Sequence, residues 1–160
     1  MYDFAPDPAL PKPESYRQLT DAAAALIAGE SDGIANMANI AALMWEYIPD
    51  INWAGFYRVM GSELVLGPFV GRPACIRIPM GRGVCGTAAS TGETQLVEDV
   101  NAFPGHIACD AESRSELVVP IRRDGRIVAV IDLDSPNAAR FDSQDAQGVE
   151  KLAGILADSL

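Results

Sequence analysis

Three cysteines, Cys75, Cys85 and Cys109, and a single histidine, His106, are the side chains of this 160-residue sequence best suited to covalent chemistry. An odd number of thiols, so few in so long a chain, excludes a disulfide scaffold. Their spacings of 10 and 24 residues match no zinc ribbon, and one histidine leaves a four-ligand site short of donors, so no metal is expected. All three fall at the ends of predicted elements or in loops, not inside apolar periodic segments. A nucleophilic thiol and its resolving partners need such positions, open to substrate and free to approach to disulfide distance. Spacing alone still leaves inert, packed thiols the commoner outcome, because free cysteine is so often buried. Cys109 has His106 three residues before it, which would lower its pKa, and Asp110 after it, which would raise it.

The second candidate group is acidic. Asp132 and Asp134 alternate with Ile131 and Leu133 at the end of an apolar run from Ile127, so on a strand both carboxylates face one side. Two like charges side by side call for a cation between them or a raised pKa. A sheet face opening to solvent would explain the same pattern. If the Asp124-Gly125 step closes a hairpin, Glu116 on the preceding strand comes near residues 131–134 and completes a cluster of three. Trp53 and Tyr57, four apart on another strand, could wall such a cluster, or simply pack in a core. Gly81-Arg82-Gly83 and Gly86 space their glycines as G-x-G-x-x-G, but outside a βαβ unit this is a weak nucleotide signal. It reads as a tight entry to a helix whose first N–H groups could also hold a small carboxylate.

The elements that would position these residues follow from periodicity. Tyr16, Leu19, Ala23, Leu26 and Ile27 predict a helix from Glu14, closed at Gly29. Ile34 to Ile48 predicts a second, with Ser31-Asp32 as its cap and Pro49 as its end. Strands are expected over 51–59, 63–70, 75–79, 94–97, 117–121 and 127–134, with a short helix after Gly83. Residues 98–115 show no period and are longer than an inert connection usually is, which favours a functional loop. Ser143 can cap a last helix carrying Val149, Leu152, Ala153 and Leu156. The order predicts an α+β domain, an antiparallel sheet with helices packed on it in α/β/α layers. Prolines 6, 8, 11 and 13 mark residues 1–13 as an extended arm, leaving 14–160 as one domain.

Composition sets the outer limits. Twelve Lys and Arg against 22 Asp and Glu give a net charge of −10, which disfavours nucleic acid and anionic membranes as partners. The first 15 residues lack the basic and apolar regions of a signal peptide, and no apolar run reaches the ~18–20 residues of a membrane span. A cytoplasmic protein with reduced thiols is expected.

The block Pro73-Ala74-Cys75-Ile76-Arg77-Ile78-Pro79-Met80-Gly81-Arg82-Gly83-Val84-Cys85-Gly86-Thr87-Ala88-Ala89 closely resembles the free methionine-(R)-sulfoxide reductases. So do Glu98-Asp99-Val100, the stretch from Phe103 to Asp110, Ser115 to Pro120, Asn52 to Tyr57, and Arg140-Phe141-Asp142. The resemblance runs from about Tyr16 to Leu160, and all three cysteines fall on the family's cysteine positions. Val70, Leu117 and the Pro-rich arm depart from the pattern without touching its chemistry. The resemblance implies a GAF-like fold and reduction of free L-methionine-(R)-sulfoxide. It implies Cys109 as the thiol that becomes a sulfenic acid, Cys75 as the main resolving thiol forming a Cys75–Cys109 disulfide, and Cys85 as a second or alternative partner. Glu116, Asp132 and Asp134 would bind the substrate and supply its proton, with Trp53 and Tyr57 bordering the pocket. It implies no bound cofactor: thioredoxin, kept reduced by NADPH through thioredoxin reductase, would recycle the enzyme. A homodimer is also implied. Two other classes compete with the enzyme: a non-catalytic GAF-type sensor of a small ligand, and a redox-responsive interaction protein whose cysteines switch a surface.

Overall fold

A computed structural model describes residues 4–107 and 109–160; residues 1–3 of the expected arm and Ala108 of the family block lie outside them. Two helices, α1 (Lys12–Ile27) and α2 (Gly33–Tyr47), open the fold. Helix α1 starts two residues before Glu14, because Pro13 sits in its first turn, where a missing N–H costs nothing. The Asp32 carboxylate caps α2 by accepting from the Ile34 and Ala35 amides. Strands β1 (Trp53–Met60) and β2 (Glu63–Gly71) form a hairpin, followed by β3 (Arg77–Pro79), α3 (Gly83–Thr91) and β4 (Gln95–Val97). A 3-10 turn at Val100–Ala102 leads through the irregular segment to the hairpin of β5 (Ser115–Arg123) and β6 (Arg126–Ser135), and α4 (Ser143–Leu156) closes the fold.

The six strands make one antiparallel sheet in the order β3-β2-β1-β6-β5-β4. Its pleat sorts the side chains into two clusters. Ala54, Phe56, Leu117, Val119, Ile121, Ile131 and Leu133 pack against α1, α2 and α4. Trp53, Tyr57, Val118 and Val130 face the other way, toward α3 and the long loops. The result is the α/β/α layering expected of a GAF-like α+β domain.

The charged residue buried on the side of α1, α2 and α4 is Asp145 on α4, which has no exposed surface. Asp145 accepts from Tyr16 Oη at 2.9 Å, Lys12 Nζ at 2.8 Å and the Asp142 amide at 2.8 Å, with Arg140 Nη1 at 3.3 Å. It forms a capping box with Asp142, so Asp142 and not Ser143 is the N-cap of α4. Ser143 is already helical and cannot fill that role.

Candidate active site

The β5–β6 hairpin turns at Asp124 and Gly125, both with positive φ (49° and 76°), the backbone that a two-residue primed turn requires. A β-bulge between Ile121 and Arg122 shifts the register set by that turn by one residue, and beyond the bulge Glu116 lies opposite Asp134. On the other side of β6, Trp53 pairs with Asp134 and Gly55 with Asp132. Glu116, Asp132, Asp134, Trp53 and Tyr57 therefore share the face turned toward α3, and all five line one cavity. Trp53 stacks on Phe69 at 5.2 Å and on Tyr57 at 5.9 Å between ring centroids. Both polar tips point into the segment after β2. Trp53 Nε1 donates to the Arg72 carbonyl at 3.1 Å and Tyr57 Oη to the Cys75 carbonyl at 3.0 Å. The aromatic wall thus also positions the backbone that carries Cys75.

Cys75 and Cys109 form a disulfide with Cα atoms 5.3 Å apart, joining the segment before β3 to the irregular loop. Both are half-buried at the cavity edge. Cys85 lies in the first turn of α3, an element end as expected, but it is not open to substrate: it is 4% exposed and remains a free thiol. Its Sγ is 3.9 Å from Glu116 Oε1 on the cavity floor. The glycines explain how α3 comes so close. A Cβ on Gly86 would sit 2.5 Å from the Pro79 carbonyl oxygen, so only glycine lets the helix dock on the β3 backbone.

The irregular loop closes the cavity with side chains that no period in the sequence reveals. His106 Nε2 lies 3.9 Å from Glu116 Oε2. Asn52 Nδ2, just before β1, donates to Ser113 Oγ at 3.2 Å and to Asp110 Oδ2 at 3.4 Å. Ser113 and His106 are additions to the expected pocket. His106 already stood out in the sequence beside Cys109; for Ser113 the length of the aperiodic segment was the signal, and it marks a region without marking residues.

The electrostatics of the floor are unusual for a buried surface. Glu116 and Asp132 are 5% and 6% exposed, and no Lys or Arg is among the described residues that line the cavity. Burial drives the Glu116 carboxyl well above its ordinary range, with the Asp132 and Asp134 charges adding to the effect. Asp132 is pushed up to about 7, chiefly by burial. Asp134, nearer the opening, is raised by its surroundings and by the Asp132 charge. The Cys85 thiol is raised by burial and by the same carboxylates, whereas burial lowers His106 and keeps it neutral. On the floor Asp132 Oδ1 has no hydrogen-bond partner; nor have Asn52 Oδ1 and Arg58 Nε elsewhere among the described residues. Donor atoms of Cys85, Glu116 and Asp132 all lie within 4.8 Å of one another, close enough to share a cation. The cavity holds about 30 Å³.

Residues 14–160 match the model of the GAF domain family. The curated free methionine-R-sulfoxide reductase of Escherichia coli K12 is 50% identical over 91% of this chain and 88% of its own. The chain belongs to the free methionine-(R)-sulfoxide reductase family. A second reductase of that name, from Saccharomyces cerevisiae, is 48% identical over 94% of this chain and 88% of its own. The X-ray structure of free methionine-R-sulfoxide reductase from Neisseria meningitidis in complex with its substrate superposes with a TM-score of 0.94. It is 46% identical, covering 98% of this chain and 94% of its own. The family fold is thus the fold described above, with the expected catalytic and substrate-binding side chains brought around one cavity. Among the described residues no helix is long and apolar enough to cross a membrane.

Proposed function

We propose that this protein reduces free L-methionine-(R)-sulfoxide to methionine. The observation that carries the reading is the meeting, in one cavity, of a Cys75–Cys109 disulfide, three carboxyl groups without a cation, and the Trp53–Tyr57 wall. In the reduced protein the Cys109 thiolate attacks the sulfoxide sulfur while a neutral carboxyl group protonates the sulfoxide oxygen. Oxygen passes to Cys109 as a sulfenic acid, and methionine leaves. The Cys75 thiol then displaces water from that sulfenic acid and forms the disulfide. Thioredoxin, reduced by NADPH through thioredoxin reductase, returns both thiols by two exchanges. Cys85, buried under Glu116 and unpaired, stays outside this cycle.

Three raised carboxyl groups suit both demands of the substrate. Bringing in an ammonium ionises part of the cluster, and a proton remains on the rest for the sulfoxide oxygen. Trp53 borders the S-methyl group. The first N–H groups of α3, at Gly83, Val84 and Cys85, lack intrahelical partners by the geometry of any helix start, and all three residues line the cavity. They are placed to receive the substrate's carboxylate. A peptide-linked methionine sulfoxide offers neither charged end and would leave the acidic floor unpaired, which accounts for selectivity toward the free amino acid. The protein is expected to work as a homodimer in the cytoplasm. Methionine release should be seen with thioredoxin, thioredoxin reductase and NADPH on the free (R) epimer, and not on the (S) epimer or a peptide-linked sulfoxide. No turnover by folded, reduced protein would overturn the assignment and turn attention to a ligand-sensing or redox-switched module.

A further inference from the structure

The chemistry above leaves Cys85 idle, yet it is the best buried of the three thiols and sits against two carboxyl groups that need positive charge. We infer that the cavity floor is a binding site for a thiophilic divalent cation, Zn²⁺ above all, held by Cys85, Glu116 and Asp132 with His106 as the fourth donor. Tetrahedral zinc, with bonds of about 2.3 Å to sulfur and about 2.0 Å to oxygen or nitrogen, places neighbouring donors roughly 3.3–3.5 Å apart. Here Cys85 Sγ lies 3.9 Å from Glu116 Oε1 within the three-donor cluster, and His106 Nε2, 3.9 Å from Glu116 Oε2 but outside that cluster, turns inward to complete the shell. One sulfur, one imidazole nitrogen and carboxylate oxygens are donors that zinc accepts in fours. Magnesium and calcium favour all-oxygen shells of higher number, which this floor does not offer.

A second observation points to the same occupant. Asp132 Oδ1 is buried in the floor without a hydrogen-bond partner, although such atoms are normally satisfied. Burial keeps His106 neutral, the form that coordinates a metal. The raised pKa values of Cys85, Glu116 and Asp132 mean that the cation must displace protons, so binding tightens as pH rises. Spacing along the chain could not reveal such a site, because its donors come from α3, β5, β6 and a loop. Neither Cys75 nor Cys109 is a ligand, so the site persists when they are joined in a disulfide. If the reductase reading holds, and on that reading alone, zinc and the substrate ammonium compete for Glu116 and Asp132, and free zinc brakes the enzyme.

The test uses the disulfide-oxidised full-length protein without added thiols, titrated with Co²⁺ as a spectroscopic substitute for zinc. One Co²⁺ per chain should bind with a thiolate-to-cobalt charge-transfer band and release of protons, and Zn²⁺ should abolish the band. Cys85→Ser should remove the band. Glu116→Gln and His106→Ala should weaken binding by more than the roughly 10–100-fold that loss of an outer-shell partner costs. X-ray absorption of the wild-type zinc complex gives a reading that needs no variant to fold: one sulfur at about 2.3 Å beside lighter atoms. A wild-type protein without the band, a band that survives in folded Cys85→Ser, or a zinc shell without sulfur overturns the inference. Turnover without a cobalt band would sink the zinc site alone, whereas a band without turnover would sink only the reductase reading.

Discussion

The two faces of the sheet each bury acidic side chains and treat them in opposite ways. Behind the sheet, Asp145 has no exposed surface, but Lys12, Arg140, Tyr16 and the Asp142 amide satisfy its oxygens. In front, Glu116 and Asp132 are almost as deeply buried, and no Lys or Arg is among the described residues lining their cavity. Removing a carboxylate from water costs several kcal/mol unless partners replace the water. The Asp145 cluster shows that this sequence can supply those partners where the aim is a stable fold. Withholding them on the pocket face leaves charge and hydrogen-bonding capacity to be satisfied by a ligand. Sites that break the rules of stability in this way are where function is expected.

This contrast makes turnover the property of the front face and stability that of the back. Cys109→Ser should show the largest effect: no methionine released even in a single turnover, followed by quenched chromatography. Cys75→Ser should still release one methionine per chain but fail to recycle with thioredoxin. Asp132→Asn should slow reduction by about 10²–10⁴-fold, the range for loss of a general acid–base group, measured as kcat/KM for the free sulfoxide. On the back face, Asp145→Ala leaves Lys12 and Arg140 without their buried partner. It should cost about 3–5 kcal/mol in urea denaturation while leaving the active-site chemistry in place. If Asp145→Ala proved harmless to stability, the contrast between the faces would fail.

A pH series sharpens it further. Asp132 has a folded pKa of about 7, above its ordinary 3.8. Between those values the folded state holds a proton that the unfolded chain has lost, so this stabilisation is complete below pH 3.8 and disappears as pH rises through about 7. Glu116 and Asp134 are shifted in the same direction and reinforce the slope. The ligand-free protein should therefore lose stability from pH 5 to pH 8. Asp132→Asn should flatten that loss and be more stable than wild type at pH 8, even as it loses activity. The smallest effect is expected at the surface. Arg72→Ala breaks an ion pair with Glu112 whose side chains are 65% and 67% exposed, and such pairs contribute about 0–1 kcal/mol.

How much of this could be read in the sequence depended on whether local rules governed the residue. The Asp124-Gly125 turn made the β5–β6 hairpin legible, with Glu116 near residues 131–134, and the alternation there put Asp132 and Asp134 on one face. The pairing of Glu116 with Asp134 itself depends on the bulge between Ile121 and Arg122, which no turn residue announces. The parity that separates Trp53 and Tyr57 from Phe56 was equally legible, and α2 starts at its expected Asp32 cap. Cys85 shows the limit. The glycines around it read as a tight entry to a helix that would leave the thiol open to substrate, but Gly86 serves close packing of α3 on β3, and the thiol ends up on the floor. The Asp142 cap of α4 was missed in favour of its neighbour Ser143, because both residue types cap helices and one position decides between them. His106 and Ser113 reach the cavity through an aperiodic loop, where contacts are set by tertiary packing alone. The roles of the cysteines came from the family resemblance, since spacing by itself favoured inert thiols.

The most direct test of the account is to mix fully reduced protein with one equivalent of free L-methionine-(R)-sulfoxide, quench with alkylating agent, and map the cysteines by mass spectrometry. The account predicts one methionine released per chain, a Cys75–Cys109 disulfide, and Cys85 recovered as the free thiol. Methionine released with Cys85 in the disulfide, or with Cys109 still reduced, would contradict it.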